Sequence, residues 1–444
     1  MSEGAGQLVL TPWEEQQDTV MQYADAHIVD ANIDQLDYEA RIEAIRRQLG
    51  PIGFYDYRDD PGYDGFYIVT SNDLARHTLG HSSTYSSHGP ESAGGIMINN
   101  LPGFLDMTRA TLIMQDNHKD KPGHDDQRRV ISSYFKPRAV AELEPIIRDE
   151  AARLVDEAVE KGEVDFVRDI AGPLPLFAIA EMLNVPPEYR PLLYDATSRV
   201  RLIDTHRVED LTPEEGTSTM EVLRMATKIR EKVEAGELVS PILDAISKAT
   251  YNRNAGEKPT KDRPMSHGVA DTYFGLLFLA GNETTRNSLA HAGQAFAQNP
   301  EQWRMLREDP SLLAAAVSEI TRYTTPVRYV RRTAMEDVQL GGQDIAEGQK
   351  VVVSLTGANR DPDVFSRPHE FDITRSREEL LRSLAFGIGT HACLGKHLAE
   401  LEVRIALEEM AKRVGNITQV RKSSRVTSTP INSMGSLTLQ LEAA

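Results

Sequence analysis

Phe386-Gly387-Ile388-Gly389-Thr390-His391-Ala392-Cys393-Leu394-Gly395 is the stretch on which the reading of this chain turns. Two glycines bracket a loop that ends on a cysteine, and an amphipathic pattern starts directly behind it. Leu394, Leu398, Leu401 and Ile405 step by four, three and four, one face of a helix. The spacing predicts a helix over 394–414 with Cys393 at its N-terminus, where free N–H groups and the positive dipole end favour a thiolate. Glycines at 387, 389 and 395 permit turns and let something large and flat approach the backbone. The loop lacks the Lys-Ser/Thr ending of a phosphate-binding loop. Cys393 is also the chain's one cysteine, which excludes an internal disulfide, a CxxC redox pair and a cysteine-rich zinc site. A lone cysteine is ordinarily a small buried filler; its surroundings argue for chemistry here.

Outward from this loop, helical patterns dominate, over 138–161, 218–235, 266–298 and 310–324. The 266–298 segment would run about 50 Å at 1.5 Å per residue. It opens on Ser266 as N-cap and closes at Asn299-Pro300, so it must cross the molecule. Alternation over 53–58 and 65–70 around Asp60-Pro61-Gly62 predicts a hairpin. A second β region is expected over 328–354, with Gly341-Gly342 as a tight turn and Val351-Val352-Val353 as a buried strand. The expected class is mainly α with a smaller β region (α+β). No linker, repeat or low-complexity tract divides the chain, so 1–444 reads as a single domain. Residues 1–20 read as a loose N-terminal segment and 252–264 as an exposed loop.

Composition narrows the function. Forty-nine Lys and Arg against 67 Asp and Glu leave a net charge of −18, which argues against nucleic acid and against an anionic membrane surface. The first twenty residues hold Glu3, Glu14 and Glu15 and no apolar run, so no signal peptide is expected. The longest apolar stretch, 273–281, falls far short of the ~20 residues that span a bilayer. A cytoplasmic protein without a membrane anchor is the expectation.

The FGxGxHxCxG pattern of 386–395 resembles the haem-binding loop of the cytochrome P450 family, matched at each fixed position. Further landmarks follow in family order from about Gly53 to Leu439. The resemblance implies the P450 fold, with a long central helix over haem b (iron protoporphyrin IX). It implies Cys393 as proximal iron ligand, Phe386 beside the sulfur, Gly387 and Gly395 against the haem, and His391 at a propionate. Thiolate ligation pushes electron density onto iron and favours O–O cleavage.

Other motifs gain meaning only from this context. Glu and Arg three apart share a helix face, and such pairs start at Glu43, Glu150, Glu221, Glu301, Glu319 and Glu379. Only Glu319/Arg322 lies in the helix before the second β region, as the family requires. That pair therefore takes the family's structural role, with Arg367 as a third partner. In the long helix, Ala280-Gly281-Asn282-Glu283-Thr284-Thr285 is a polar block inside an apolar run. A kink is the plain reading; the resemblance adds an oxygen-binding groove. There Ala280 and Gly281 border the haem and Gly281 clears space for dioxygen. Thr284 would donate a hydrogen bond to the oxygen being activated, and Glu283 would relay protons. Asp120-Lys121-Pro122-Gly123-His124-Asp125-Asp126-Gln127-Arg128 is similar to the family's D-x-P-x-H-x-x-x-R, with Lys121 where a proline is usual. His124 and Arg128 thereby meet propionates, as does Arg332 of Arg332-Thr333-Ala334, with Arg331 facing away.

By family position, substrate contacts are expected at Ile96, Met97, Ile98, Phe278, Leu279, Thr325, Val327 and Met434. This set implies a small, neutral, hydrophobic substrate (terpenoid, steroid or alkyl compound) for a monooxygenase that inserts one atom of O2 into a C–H bond. Electrons would come from a two-iron ferredoxin with its ferredoxin reductase, docking near Cys393 on Arg129, Lys136, Arg138 and Lys396. A haem-thiolate peroxygenase, and a haem sensor or carrier without turnover, are the alternatives.

Overall fold

Helices organise the chain around one apolar axis. In the structure, a computed structural model, the described residues are 35–55, 65–87, 124–199, 213–249, 267–426, 428 and 430–444. The helices that carry the architecture are α1 (His124–Ile131), α2 (Pro173–Met182), α3 (His267–Gln298), α4 (Leu313–Thr324) and α5 (Lys396–Arg413). At 32 residues α3 is about 48 Å long. It is apolar nearly all round, the pattern of a helix enclosed by others. Tyr273, Phe274, Phe278, Leu289 and Phe296 are buried, each large side chain contributing roughly 1.5–3 kcal/mol by leaving water. Helices α2, α4 and α5 and strand Val414–Gln419 all pack on it. Ser266, the expected N-cap, lies outside the described residues, as do 1–20, Asp60-Pro61-Gly62 and 252–264.

The β content is one mixed sheet with small satellites. Its strands are β1 (Ile52–Tyr55), β2 (Phe66–Val69), β3 (Tyr85–Ser86), β4 (Tyr329–Ala334) and β5 (Lys350–Ser354), in the order β1-β2-β5-β4-β3. β1 and β2 form the expected antiparallel hairpin pair. β5 runs parallel to β2 and antiparallel to β4, and its Val351, Val352 and Val353 have no exposure, as a strand flanked on both sides requires. Gly341 and Gly342, at φ 55° and 83°, turn Val338–Leu340 back onto Gln343–Ile345. The mainly α architecture with a smaller β region is therefore what the chain adopts.

Two boundaries differ from expectation. The pattern over 138–161 is two helices, Pro137–Ala141 and Glu144–Lys161. Pro145 lacks an N–H and fits only a helix's first turn, so a new helix starts there. The 310–324 segment opens as a short 3₁₀ turn, Pro310–Leu312, before α4.

Below α4 lies the polar knot. Glu319 accepts from Arg322 Nε at 2.6 Å and Nη2 at 2.7 Å, and Arg322 and Glu319 have no exposure. Arg322 Nη1 also donates to the carbonyls of Asn359 and Pro368. The third partner is Arg375, whose Nε lies 3.1 Å from Glu319 Oε2, and not Arg367. Arg367 adopts φ 45° and points outward, 58% exposed, to Glu370 and Asp372. The knot is the root from which β4 departs.

Candidate active site

Loop 386–395 is closed by its own backbone. Cys393 N–H donates to Phe386 O at 2.8 Å and Ala392 N–H to Gly389 O at 3.1 Å. Gly389 sits at φ 73°, and a Cβ there would come within 2.5 Å of Leu79 O, so only glycine fits. The helix behind the loop begins at Lys396 with Gly395 as N-cap, later than the sequence pattern suggested. The sulfur thus lies just ahead of the first turn, with the N-cap residue Gly395 turning its N–H toward it. Burial pushes the Cys393 thiol up, while the Gly395 N–H and the charges of Arg128 and Lys396 pull the other way. Yet Cys393 keeps accessible surface. A metal ion there would supply the missing stabilisation, because coordination deprotonates a thiol.

Arginine, lysine and imidazole side chains collect around this loop. Arg128, in the last turn of α1, donates to Ala392 O at 2.7 Å. His124, in the first turn of α1, is buried with its ring 4.3 Å from that of His391. Burial, with the neighbouring His391 and Arg128, holds His124 below its ordinary value, opposed by Asp125 Oδ1 at 2.9 Å. His391 Nε2 lies 3.0 Å from Ser87 Oγ, and the adjacent Ser86 is the register partner of Thr333. That pairing ties β4, and Arg332 on it, to the cysteine loop. Arg332 is buried and donates to Arg331 O at 2.8 Å. Arg331, expected to face away, is buried as well. Lys396 Nζ stands 5.7 Å from the centre of the Phe386 ring. Asp120 to Gly123 lie outside the described residues.

A second set of accessible side chains lies on mid-α3. Leu276, Leu279, Ala280, Glu283 and Thr284 keep accessible surface, whereas Leu277, Phe278, Asn282, Thr285 and Arg286 are buried. Spacings of three and four place the accessible set on one helix face. Thr284 Oγ1 donates to Ala280 O at 2.8 Å, which leaves its lone pairs as acceptors. Glu283 Oε1 accepts from Arg286 Nη2 at 3.1 Å, Asn287 Nδ2 at 2.9 Å and Ser433 Oγ at 2.9 Å. Gly281 faces α2: a Cβ would meet Ile179 Cδ1 and Cγ1 at 3.2 Å. Its missing side chain lets α2 pack closely, and Gly281 itself keeps accessible surface.

The substrate expectations divide. Leu279 and Val327 keep accessible surface. Phe278, Thr325 and Met434 have none, and a residue without accessible surface cannot touch a ligand. Phe278 packs on Phe274. Thr325 caps α4 at φ 38° and accepts from Asn359 Nδ2 at 3.0 Å. Met434 sits in the main core. Ile96, Met97 and Ile98 lie outside the described residues.

A family model described as Cytochrome P450 matches residues 222–414. A steroid C26-monooxygenase of Mycolicibacterium smegmatis is 32% identical over 420 residues, covering 92% of each chain. The chain belongs to the cytochrome P450 family. A linalool 8-monooxygenase of Pseudomonas putida is 32% identical over 396 residues, covering 86% of this chain and 93% of its own. The solved cytochrome P450-153 of Novosphingobium aromaticivorans superposes with a TM-score of 0.78 at 26% identity, covering 94% of this chain and 99% of that one. The protein is thus a monooxygenase whose cofactor is haem b, which sets aside the turnover-free alternative.

The cysteine loop suits that group. This P450 presents there a soft, accessible sulfur donor, and soft ligands favour transition-metal centres over hard cations. A Cβ on Gly395 would find no protein atom within 4 Å although its φ of −82° suits any residue. Neither backbone nor packing accounts for this glycine; a flat group lying against it would. Arg128, His124 and His391 around the loop, with Arg332 on the strand tied to it, offer charge and hydrogen bonds to two carboxylates in a chain of net charge −18. Leu276, Arg375 and Ser433 escaped the sequence reading. Only Leu276 left a signal there, one turn before Ala280 and two before Thr284.

Proposed function

We propose that this P450 hydroxylates a neutral hydrophobic compound of terpenoid, steroid or alkyl type, with Cys393 as the iron ligand. The observation that carries the reading is the accessible face of α3, where Leu276, Leu279 and Ala280 give an apolar stretch beside the Glu283 and Thr284 pair, within an otherwise buried helix. The two relatives' names, steroid and linalool monooxygenases, support the substrate class. Bound haem supplies the activation of dioxygen. Everything else falls to the chain. Arg128 and Arg332 balance the propionate charge, with His124 and His391 as hydrogen-bonding partners. Leu279, Ala280 and Val327 shed water and hold an apolar substrate, because burying its surface is worth about 25 cal/mol per Å². Thr284, its proton committed to Ala280 O, orients a donor through its lone pairs, and Glu283 exchanges protons with solvent.

The reading includes a cytoplasmic setting and a two-iron ferredoxin served by its reductase. Arg129, Lys136, Arg138 and Lys396, all exposed, would receive its acidic surface near Cys393. Binding of linalool, cholesterol and dodecane, followed by the shift of the haem absorption band, tests the substrate class. At least one of the three is expected to shift it at micromolar concentration. Hits confined to charged hydrophilic compounds would overturn the reading. Exchange of Arg129 and Lys396 for Glu should slow ferredoxin-driven turnover at low salt, and an unchanged rate would remove the patch.

A further inference from the structure

We propose that Ser433 is a positioning residue that sets the orientation of the Glu283 carboxylate, leaving Oε2 as its proton-exchanging oxygen. The inference rests on the reading of Glu283 as the proton-handling acid. Oε1 takes three donors, from Arg286, Asn287 and Ser433. Among the described residues Oε2 takes none, and the side chain is 18% exposed. An oxygen already accepting three hydrogen bonds has its lone pairs spent. A proton therefore loads on Oε2, the oxygen left for water.

The three donors are not equivalent. Arg286 and Asn287 stand three and four residues along the same helix, so they move with Glu283. Ser433 comes from another part of the chain and is the donor that fixes the acid relative to the rest of the site. Asn287, fully buried, braces this contact: its Nδ2 lies 3.4 Å from Ser433 Oγ and its Oδ1 accepts from Met434 N at 2.9 Å. The loop carrying Ser433 is itself pinned. Asn432 N–H donates to Pro326 O at 2.8 Å and Asn432 Nδ2 to Thr324 O at 2.7 Å, while Ile431 bridges Val327. Residues 431–433 thus register the acid against the Val327 segment, which borders the proposed substrate space.

The test uses the haem-loaded protein and the variants Ser433→Ala, Ser433→Thr and Glu283→Gln. In the resting protein, the Glu283 carboxylate band is isolated as the infrared difference between wild type and Glu283→Gln. It should move in Ser433→Ala, where one of three donors is lost, and return in Ser433→Thr. During turnover with whichever of linalool, cholesterol and dodecane shifts the absorption band most, Ser433→Ala should release several-fold more peroxide per NADH, and Ser433→Thr should restore the wild-type ratio. A merely structural role would lower thermal stability without moving the band or the ratio. If Ser433→Ala matches wild type in both while Glu283→Gln leaks peroxide, the positioning role is wrong and the acid stands. If Glu283→Gln itself leaks no more than wild type, the acid reading fails and the inference falls with it.

Discussion

Replacing Glu319 by Gln removes the one negative charge that two buried guanidinium groups share. In the folded protein Glu319 accepts from Arg322 twice, from Arg375 Nε at 3.1 Å and from Asp372 N at 3.0 Å. The three side chains are at most 1% exposed. Gln keeps one acceptor, clashes a donor against the guanidinium N–H groups, leaves Arg322 without a counter-charge and leaves Arg375 only Glu379 Oε1 at 3.2 Å. Breaking a buried pair from one side costs about 3–5 kcal/mol. Unfolding entropy of about 2.1 cal/mol/K per residue gives roughly 0.9 kcal/mol/K for this chain, so the midpoint should drop by about 3–5 °C. Glu150→Gln is the control. Its pair with Arg153 is as short, at 2.6 Å, but Arg153 is 51% exposed, and such surface pairs are worth about 0–1 kcal/mol. Differential scanning calorimetry of the haem-loaded proteins decides. Equal midpoints for the two variants would refute the argument that burial, not the Glu-x-x-Arg pattern, gives the knot its weight.

Single contacts elsewhere set three further outcomes. Gly281→Ala should be about 1 kcal/mol more favourable in an Ile179→Ala background than alone, since Ile179 Cγ1 and Cδ1 occupy the space the new methyl needs; urea midpoints of the four proteins measure this, and strict additivity would contradict it. Gly395→Ala should leave unfolding of the haem-free protein unchanged but lower its haem uptake, whereas Gly389→Ala should already destabilise the haem-free protein through its φ of 73° and the Leu79 carbonyl. Glu402, on α5, is 1% exposed with Oε2 unpartnered, and burial pushes its carboxyl well above the ordinary range. The fold therefore favours its protonated form relative to the unfolded chain, so its contribution is present below the unfolded value of about 4.3 and lost as pH rises. Glu402→Gln should raise the thermal midpoint at pH 7, with the gain shrinking toward pH 4; a gain that grows on acidification would reverse the sign.

What the sequence disclosed, and what it hid, has a physical pattern. The cysteine loop was legible because three glycines, a histidine and a cysteine at fixed spacing have few other uses together. Glu319 stood out from five look-alike pairs by its place before the second β region, and its full burial agrees. Arg375 was not legible as its partner, since a turn around Asp372 brings it back and no periodicity marks that turn. The facing of α3 was hidden for a different reason. A helix apolar all round has no preferred side in its pattern, so Phe278 could not be told from Leu276. Thr325 did carry a sign, standing before Pro326, where right-handed helical backbone is disfavoured; its left-handed cap removes it from the substrate wall. The helix behind Cys393 was placed two residues early, because Leu394 continues the apolar spacing while helical backbone starts only at Lys396.

The central claim is that the Cys393 sulfur is bonded to haem iron. The absorption spectrum of the reduced, carbon monoxide-treated protein reports that bond directly. Wild type should show the long-wavelength Soret band that only a thiolate trans to carbon monoxide produces, and Cys393→Ser should lose it while the residual haem absorbs at the shorter wavelength of an oxygen- or nitrogen-ligated centre. A Cys393→Ser protein that keeps the thiolate band, or a wild type that never shows it when haem is plentiful, would contradict the account.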